Sequence, residues 1–148
     1  MTAPAVFAAV FVALYVAHQV ADHWVQTDHQ ACTKGAPGWP GRIACAAHVA
    51  SYTATALVAL AALRYTLHVP LDPWRVAAGL TVSAVTHYIA DRRSPLRWLA
   101  ERLGAARFYQ LGACRDSGDK PCLGTGAYAL DQSFHYAWLF VAALVIAS

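Results

Sequence analysis

Four stretches of the chain are almost continuously apolar, roughly residues 4–25, 43–67, 74–90 and 126–147, and polar or glycine-rich segments separate them. Each approaches the roughly 20 residues that an α-helix, rising about 1.5 Å per residue, needs to cross the hydrocarbon of a bilayer. The third is the shortest. The pattern predicts an all-α protein, a four-transmembrane-helix bundle forming a single integral membrane domain over residues 1–148. Before the last stretch, Ser94-Pro95 reads as an N-cap and first helical residue. Leu96, Leu99, Leu103 and Ala106 follow at helical spacing, with Arg97, Arg102 and Arg107 around them and Trp98, Phe108 and Tyr109 nearby. This predicts an interfacial amphipathic helix at about 95–111, lying on the membrane surface between helices three and four. The segment 27–41, with Gly35, Pro37, Gly38, Pro40 and Gly41, reads as loop, as does 112–126.

Composition supports this reading. The chain is 58% hydrophobic and 13% charged, whereas soluble domains average about 25% charged residues. The first stretch lacks the basic n-region and small-residue cleavage site of a signal peptide and runs on into His18 and Asp22, so it is expected to be retained. With four crossings, one side carries Lys34, Arg42, Arg92, Arg93, Arg97, Arg102, Arg107, Arg115 and Lys120, and the other carries Arg64 and Arg75. Basic residues favour the cytoplasmic side, so both termini are expected to be extracytoplasmic and the two larger loops cytoplasmic. The net charge of +3 then reflects topology and anionic lipid head groups. No phosphate loop, dinucleotide fingerprint or basic-aromatic RNA motif is present, and no nucleic-acid partner is expected.

Against this apolar background the polar residues stand in pairs. His18 and Asp22, and His87 and Asp91, are four apart, and Asp131 and His135 repeat the spacing in reverse order. Residues i and i+4 share a helix face. If helix four runs opposite to helices one and three, the reversal puts all three histidines at one level and all three aspartates at another. Val16-Ala-His18-Gln-Val20-Ala-Asp22 and Val85-Thr-His87-Tyr-Ile89-Ala-Asp91 share the pattern V-x-H-x-[VI]-A-D, an internal repeat. A helical-hairpin repeat unit pairs His48 with His135 and leaves Ala44 opposite Asp131. An ionisable group near the middle of a membrane helix costs roughly 2.5–3.5 kcal/mol, less toward the interface. Several at one level imply compensation, either by mutual hydrogen bonds that set helix register or by a metal.

Mixed imidazole and carboxylate ligands favour a divalent transition metal such as Zn, Mn or Fe. Two arrangements fit the residues. In one, His18, Asp22, His48, His87, Asp91, Asp131 and His135 hold two ions through a bridging aspartate and water. In the other, His18, His87 and His135 hold one ion and the aspartates orient them. Gln19, Gln26, Thr27, Tyr52, Thr86, Tyr88, Gln132 and Tyr136 lie near the same level and are available to substrate or to helix packing, whereas His23, His29 and His68 are set aside. Cys32, Cys45, Cys114 and Cys122 fall in or beside the larger loops without a C-x-x-C spacing. A cytoplasmic location implies free thiols or a structural zinc, and an inverted topology implies disulfides.

These motifs carry a family resemblance. His18-x-x-x-Asp22 followed by Gln26-Thr27, His48 at the head of helix two, Thr86-His87-x-x-x-Asp91 and Asp131-Gln132-x-x-His135 make the chain resemble the small bacterial and phage membrane proteins catalogued as domain of unknown function 3307. His23, where the family usually has an aromatic residue, departs from it, and so does the cysteine-bearing, arginine-rich loop before helix four. The resemblance implies a small helical protein of the bacterial inner membrane, bacterial or phage-encoded, and no particular activity. From ligand type alone, the expected function is metal-dependent hydrolysis of a lipid-like or phosphorylated amphiphile drawn from the membrane lipids, with Asp91 or Asp131 accepting a proton. Alternatives are a metal sensor, a transporter, a di-iron redox protein, or a structural helical module that binds a partner. The apolar runs 54–63 and 139–147 offer a transport path few polar residues.

Overall fold

A computed structural model describes residues 1–113 and 123–148. Cys114 and Cys122, together with Arg115 and Lys120, lie outside the described residues. Every regular element among the described residues is helical: α1 (Ala3–Val20), continued by a π-helical turn (Ala21–Val25), then α2 (Asp28–Thr33), α3 (Gly38–Thr66), α4 (Pro73–Asp91), α5 (Ser94–Arg102), α6 (Ala106–Tyr109) and α7 (Gly126–Ala147).

Local chemistry sets the helix starts. Asp72 caps α4 by accepting from the N–H groups of Trp74 and Arg75 at 2.9 and 3.0 Å, with Pro73 in the first turn where its missing N–H costs nothing. Thr125 caps α7 by accepting from Tyr128 N–H at 3.2 Å. Three helical segments, 23, 29 and 22 residues long, are long and apolar enough to cross a membrane: α1 with its π turn, α3 and α7. The fourth expected span, α4, has 19 residues but carries Arg75, Thr81, Ser83, Thr86, His87 and Asp91, and it does not reach the apolarity of the other three.

The long helices pack on one another, α1 against α3 and α7, and α4 against the same two. Val10 and Leu14 of α1, Ala56 and Leu60 of α3, Leu80 of α4 and Leu139 and Ala142 of α7 meet in one apolar core. Small residues allow close approach, which matters in lipid, where burying apolar side chains brings no hydrophobic gain. A Cβ on Gly79 of α4 would lie 2.5 Å from Ile146 Cγ1 and 2.8 Å from the Ala142 carbonyl oxygen. Outward-facing positions such as Val12, Val58, Val85 and Leu144 remain exposed and apolar.

The structure corrects three local expectations. Segment 27–41 is not all loop, because it holds α2 and the first turn of α3. Thr27 accepts from Gln30 N–H at 3.2 Å and the Gln30 side chain accepts from Thr27 N–H at 3.0 Å, a reciprocal cap strong enough to start a short helix. Pro40 and Gly41 are tolerated because first-turn N–H groups have no intrahelical acceptor. A Cβ at Gly41 would lie 2.0 Å from the Ala36 carbonyl oxygen, so glycine is required where the chain turns into α3. The surface helix expected at 95–111 breaks into α5 and α6 at Gly104, whose φ of +75° suits glycine. Ser94 does not cap α5: Arg93 occupies the capping position and Ser94 is already helical.

Candidate metal centre

His18 lies in the last turn of α1, and Asp22 sits in the π turn, which Gln26 N–H closes on the Ala21 carbonyl at 2.8 Å. Single π turns within α-helices occur frequently at functional sites. His48 enters from α3, His87 and Asp91 from α4, and Asp131 and His135 from α7. The structure brings all seven together. His18, His48, His87, Asp91 and His135 are buried, and the Asp22 side chain is 9% exposed. The two levels expected from the sequence are present. The His18, His87 and His135 rings lie 4.3 to 5.5 Å apart between centroids, and Asp22, Asp91 and Asp131 line the cleft beyond them.

Four ligand atoms on three elements define a compact polyhedron. His48 Nε2 lies 3.0 Å from His87 Nε2, 3.3 Å from Asp22 Oδ1 and 3.4 Å from Asp91 Oδ2. His87 Nε2 lies 3.7 Å from Asp22 Oδ1 and 3.2 Å from Asp91 Oδ2. An ion bound tetrahedrally at about 2.0–2.2 Å holds its ligand atoms roughly 3.3–3.6 Å apart, so these five edges bracket the value that N2O2 coordination requires.

The polar bookkeeping leads to the same place. Both ring nitrogens of His18, Nδ1 of His48 and of His87, Nε2 of His135, Oδ1 of Asp22 and Oδ2 of Asp91 are buried without a hydrogen-bond partner. Leaving one such group unsatisfied costs about 1–3 kcal/mol. A cation could take up the lone pairs that face inward, among them Asp22 Oδ1, Asp91 Oδ2 and His135 Nε2. His135 is prepared for this role. Its Nδ1 donates to the Asp131 carbonyl oxygen at 2.7 Å, which fixes the tautomer and leaves Nε2 with the lone pair.

Asp22 faces two ways. Oδ1 belongs to the His48–His87 group, while Oδ2 lies 3.6 Å from His18 Nε2. Three sets of side chains can each bring ligand atoms within 4.8 Å of one another: His18, His87 and His135; Asp22, His48 and His87; and Asp91, Asp131 and His135. Together they comprise all seven residues expected from the sequence. Tyr52 packs the floor, its ring 4.1 Å from that of His87 and its hydroxyl bonded to Ser83 at 2.6 Å.

Asp131 is oriented by a hydrogen-bonded chain. Gln19 Nε2 donates to the Tyr136 hydroxyl at 2.6 Å, that hydroxyl donates to Gln132 Oε1 at 3.0 Å, and Gln132 Nε2 donates to Asp131 Oδ2 at 3.3 Å. On the outer side, Lys34 Nζ pairs with Asp91 Oδ1 at 2.8 Å. Arg92 holds the backbone beneath that lysine, donating to the carbonyls of Lys34 and Ala36 at 2.5 and 2.7 Å. Arg93 donates to the Ala31 carbonyl at 3.1 Å from a γ-turn, in which Ser94 N–H bonds the Arg92 carbonyl at 2.7 Å and Arg93 has φ +62° and ψ −49°.

A cavity of about 230 Å³ opens over the three aspartates, and Lys34, Arg93, His23 and Tyr128 contribute to its wall. His23 lies outside the expected ligand set, yet its Nδ1 bonds the Gln19 carbonyl at 2.9 Å and its Nε2 bonds the Tyr128 hydroxyl at 3.2 Å. Lys34, expected in a loop, caps the end of α2. The Thr27-x-x-Gln30 cap was the sequence signal for the helix that carries it toward the site. Cys32 is exposed and Cys45 buried, both with free thiols. Comparison with protein-family profiles, curated proteins and solved structures finds no match to this chain.

Proposed function

We propose that this protein is a membrane-embedded metallohydrolase with a dinuclear His/Asp centre opening toward the cytoplasm. The carrying observation is the convergence of buried, unpartnered nitrogen and carboxylate ligands from four helical segments beneath an accessible cleft. In this reading His48, His87, Asp91 and Asp22 Oδ1 hold one ion. His18 and His135 would line a second position, toward which Asp22 Oδ2 also faces, with Asp131 beside His135. The four-crossing topology, with α4 as the most polar crossing, belongs to the same reading, and the resemblance to domain of unknown function 3307 is compatible with it. Arg64, Arg75 and Met1 line a cavity at the opposite end from Lys34, Arg92 and Arg93, which supports the expected cytoplasmic placement of the site and the extracytoplasmic placement of the termini.

Divalent ions at these positions would acidify a bound water and polarise the scissile group of the substrate. Asp91 has both oxygens committed, one to Lys34 and one toward the two imidazoles, so Asp131, oriented by Gln132, is the better placed of the two to accept the water proton. Water exclusion comes from Tyr52 and the apolar core below. The substrate is an amphiphile whose polar head enters the cleft while its tail stays in the leaflet.

Elemental analysis of purified protein tests this reading, together with release assays on phospholipid and prenyl-phosphate panels. Two divalent ions per chain, at least one of them lost in His87→Ala, and chelator-sensitive turnover are expected. Metal-free protein whose thermal stability ignores chelator overturns the centre. Full metal content without turnover of any panel member overturns the hydrolase.

A further inference from the structure

We infer that the cleft between Lys34 and Arg93 is a subsite for a terminal phosphate, which makes the substrate class phosphate esters; this rests on the metal reading above. Three independent features lead to it. First, the Lys34 ammonium is 2.8 Å from Asp91 Oδ1, while Oδ2 of the same carboxylate faces the His48–His87 ligand set. A positive charge is thus fixed one carboxylate width from an ion position, where a ligand oxygen can reach both. Second, the fixing is deliberate in backbone terms. Arg92 bonds the carbonyls of Lys34 and Ala36, and Arg93 is held in a positive-φ γ-turn that non-glycine residues rarely adopt. Arg93 uses one Nη on the Ala31 carbonyl, and a guanidinium has five N–H donors in a planar fork suited to phosphate oxygens.

Third, charge and size agree. The cleft wall carries three aspartates against one lysine and one arginine, and two divalent ions turn that single net negative charge into three positive ones. A volume of about 230 Å³ is below the roughly 300–1,000 Å³ of pockets that enclose drug-sized ligands, so a head group fits and a whole amphiphile does not. Phosphate suits the arrangement better than carboxylate, because it offers oxygens to two ions and to the Lys34–Arg93 pair at once.

The test uses the metal-loaded full chain in phosphate-free buffer, titrated calorimetrically with inorganic phosphate, and its capture by nanodiscs of phosphatidylcholine with or without phosphatidic acid. Inorganic phosphate should bind the parent. Arg93→Gln and Lys34→Gln should each weaken binding at least tenfold while elemental analysis shows the parent's metal content. Arg93→Lys, which keeps the charge and loses the fork, should fall between them and the parent. Preference for phosphatidic acid nanodiscs identifies a lipid head group as the source, and binding of inorganic phosphate alone identifies a soluble ester. Metal-loaded parent that binds neither probe, or Gln variants that bind as the parent does, overturn the subsite and leave the metal centre standing. Absence of metal in the parent overturns both.

Discussion

Replacing Asp22 by asparagine separates a metal centre from a set of hydrogen bonds, because only a metal centre makes the variant's deficit disappear in chelator. The substitution keeps shape and removes one charge from the carboxylate whose oxygens lie 3.3 Å from His48, 3.7 Å from His87 and 3.6 Å from His18. With ions present at about 1,000 times their dissociation constant, binding stabilises the parent by about 4.1 kcal/mol. At roughly 2–4 °C per kcal/mol for a chain of this size, metal should raise the parent's melting temperature by about 8–16 °C over chelator. A hundredfold loss of affinity in Asp22→Asn removes about 2.7 kcal/mol of that, or roughly 5–11 °C. In chelator the gap should close. The Asp22 carboxylate then has only imidazole neighbours, and the amide of the variant can likewise donate to an imidazole lone pair. Differential scanning of both proteins in nanodiscs, with zinc or manganese and with EDTA, reads the four values directly. A variant equally destabilised in metal and in chelator would mean that Asp22 only ties helices together, and the dinuclear reading would fail with it.

Two further perturbations address neighbouring parts. Tyr136→Phe cuts the chain that orients Asp131 between Gln19 and Gln132; kcat on a responsive substrate should drop about tenfold with KM and metal content unchanged, since a hydrogen bond nets only about 0.5–1.5 kcal/mol, and an unaltered kcat would remove Tyr136 from any positioning role. Gly79→Ala forces a methyl to within 2.5 Å of Ile146 Cγ1 at the α4–α7 crossing; overpacking costs about 1–3 kcal/mol, so thermal unfolding should move down by several degrees, and an unchanged transition would show that this crossing is looser than described.

The long apolar helices and the paired His/Asp residues were legible because both rest on periodicity. Helical spacing and the V-x-H-x-[VI]-A-D repeat were enough to foresee which seven side chains share a region. What escaped depends on relations that periodicity does not encode. α2 has no buried residue, so no hydrophobic stripe announced it, and its start is written only in the Thr27–Gln30 cap. Glycines and prolines at 35–41 read as breakers, although at the start of α3 they satisfy first-turn geometry and a close turn into the helix. Lys34 and Arg93 gain their significance from contacts across 57 and 62 positions of sequence, which no local pattern reveals. The π turn, likewise, inserts into a run whose composition is ordinary helix.

That π turn gives the duplicated motif two fates. Asp22 and Asp91 occupy the same place in the repeat, but the first lies on widened helix and the second on the last residue of a regular one. Equivalent letters therefore acquired unequal labour: one carboxylate is left facing imidazoles on both sides, and its twin is anchored by a lysine to the rim. The centre is lopsided by construction, with a tethered half and an adjustable half, and any exchange of the two motif copies should break it even though scarcely a side chain would change in kind.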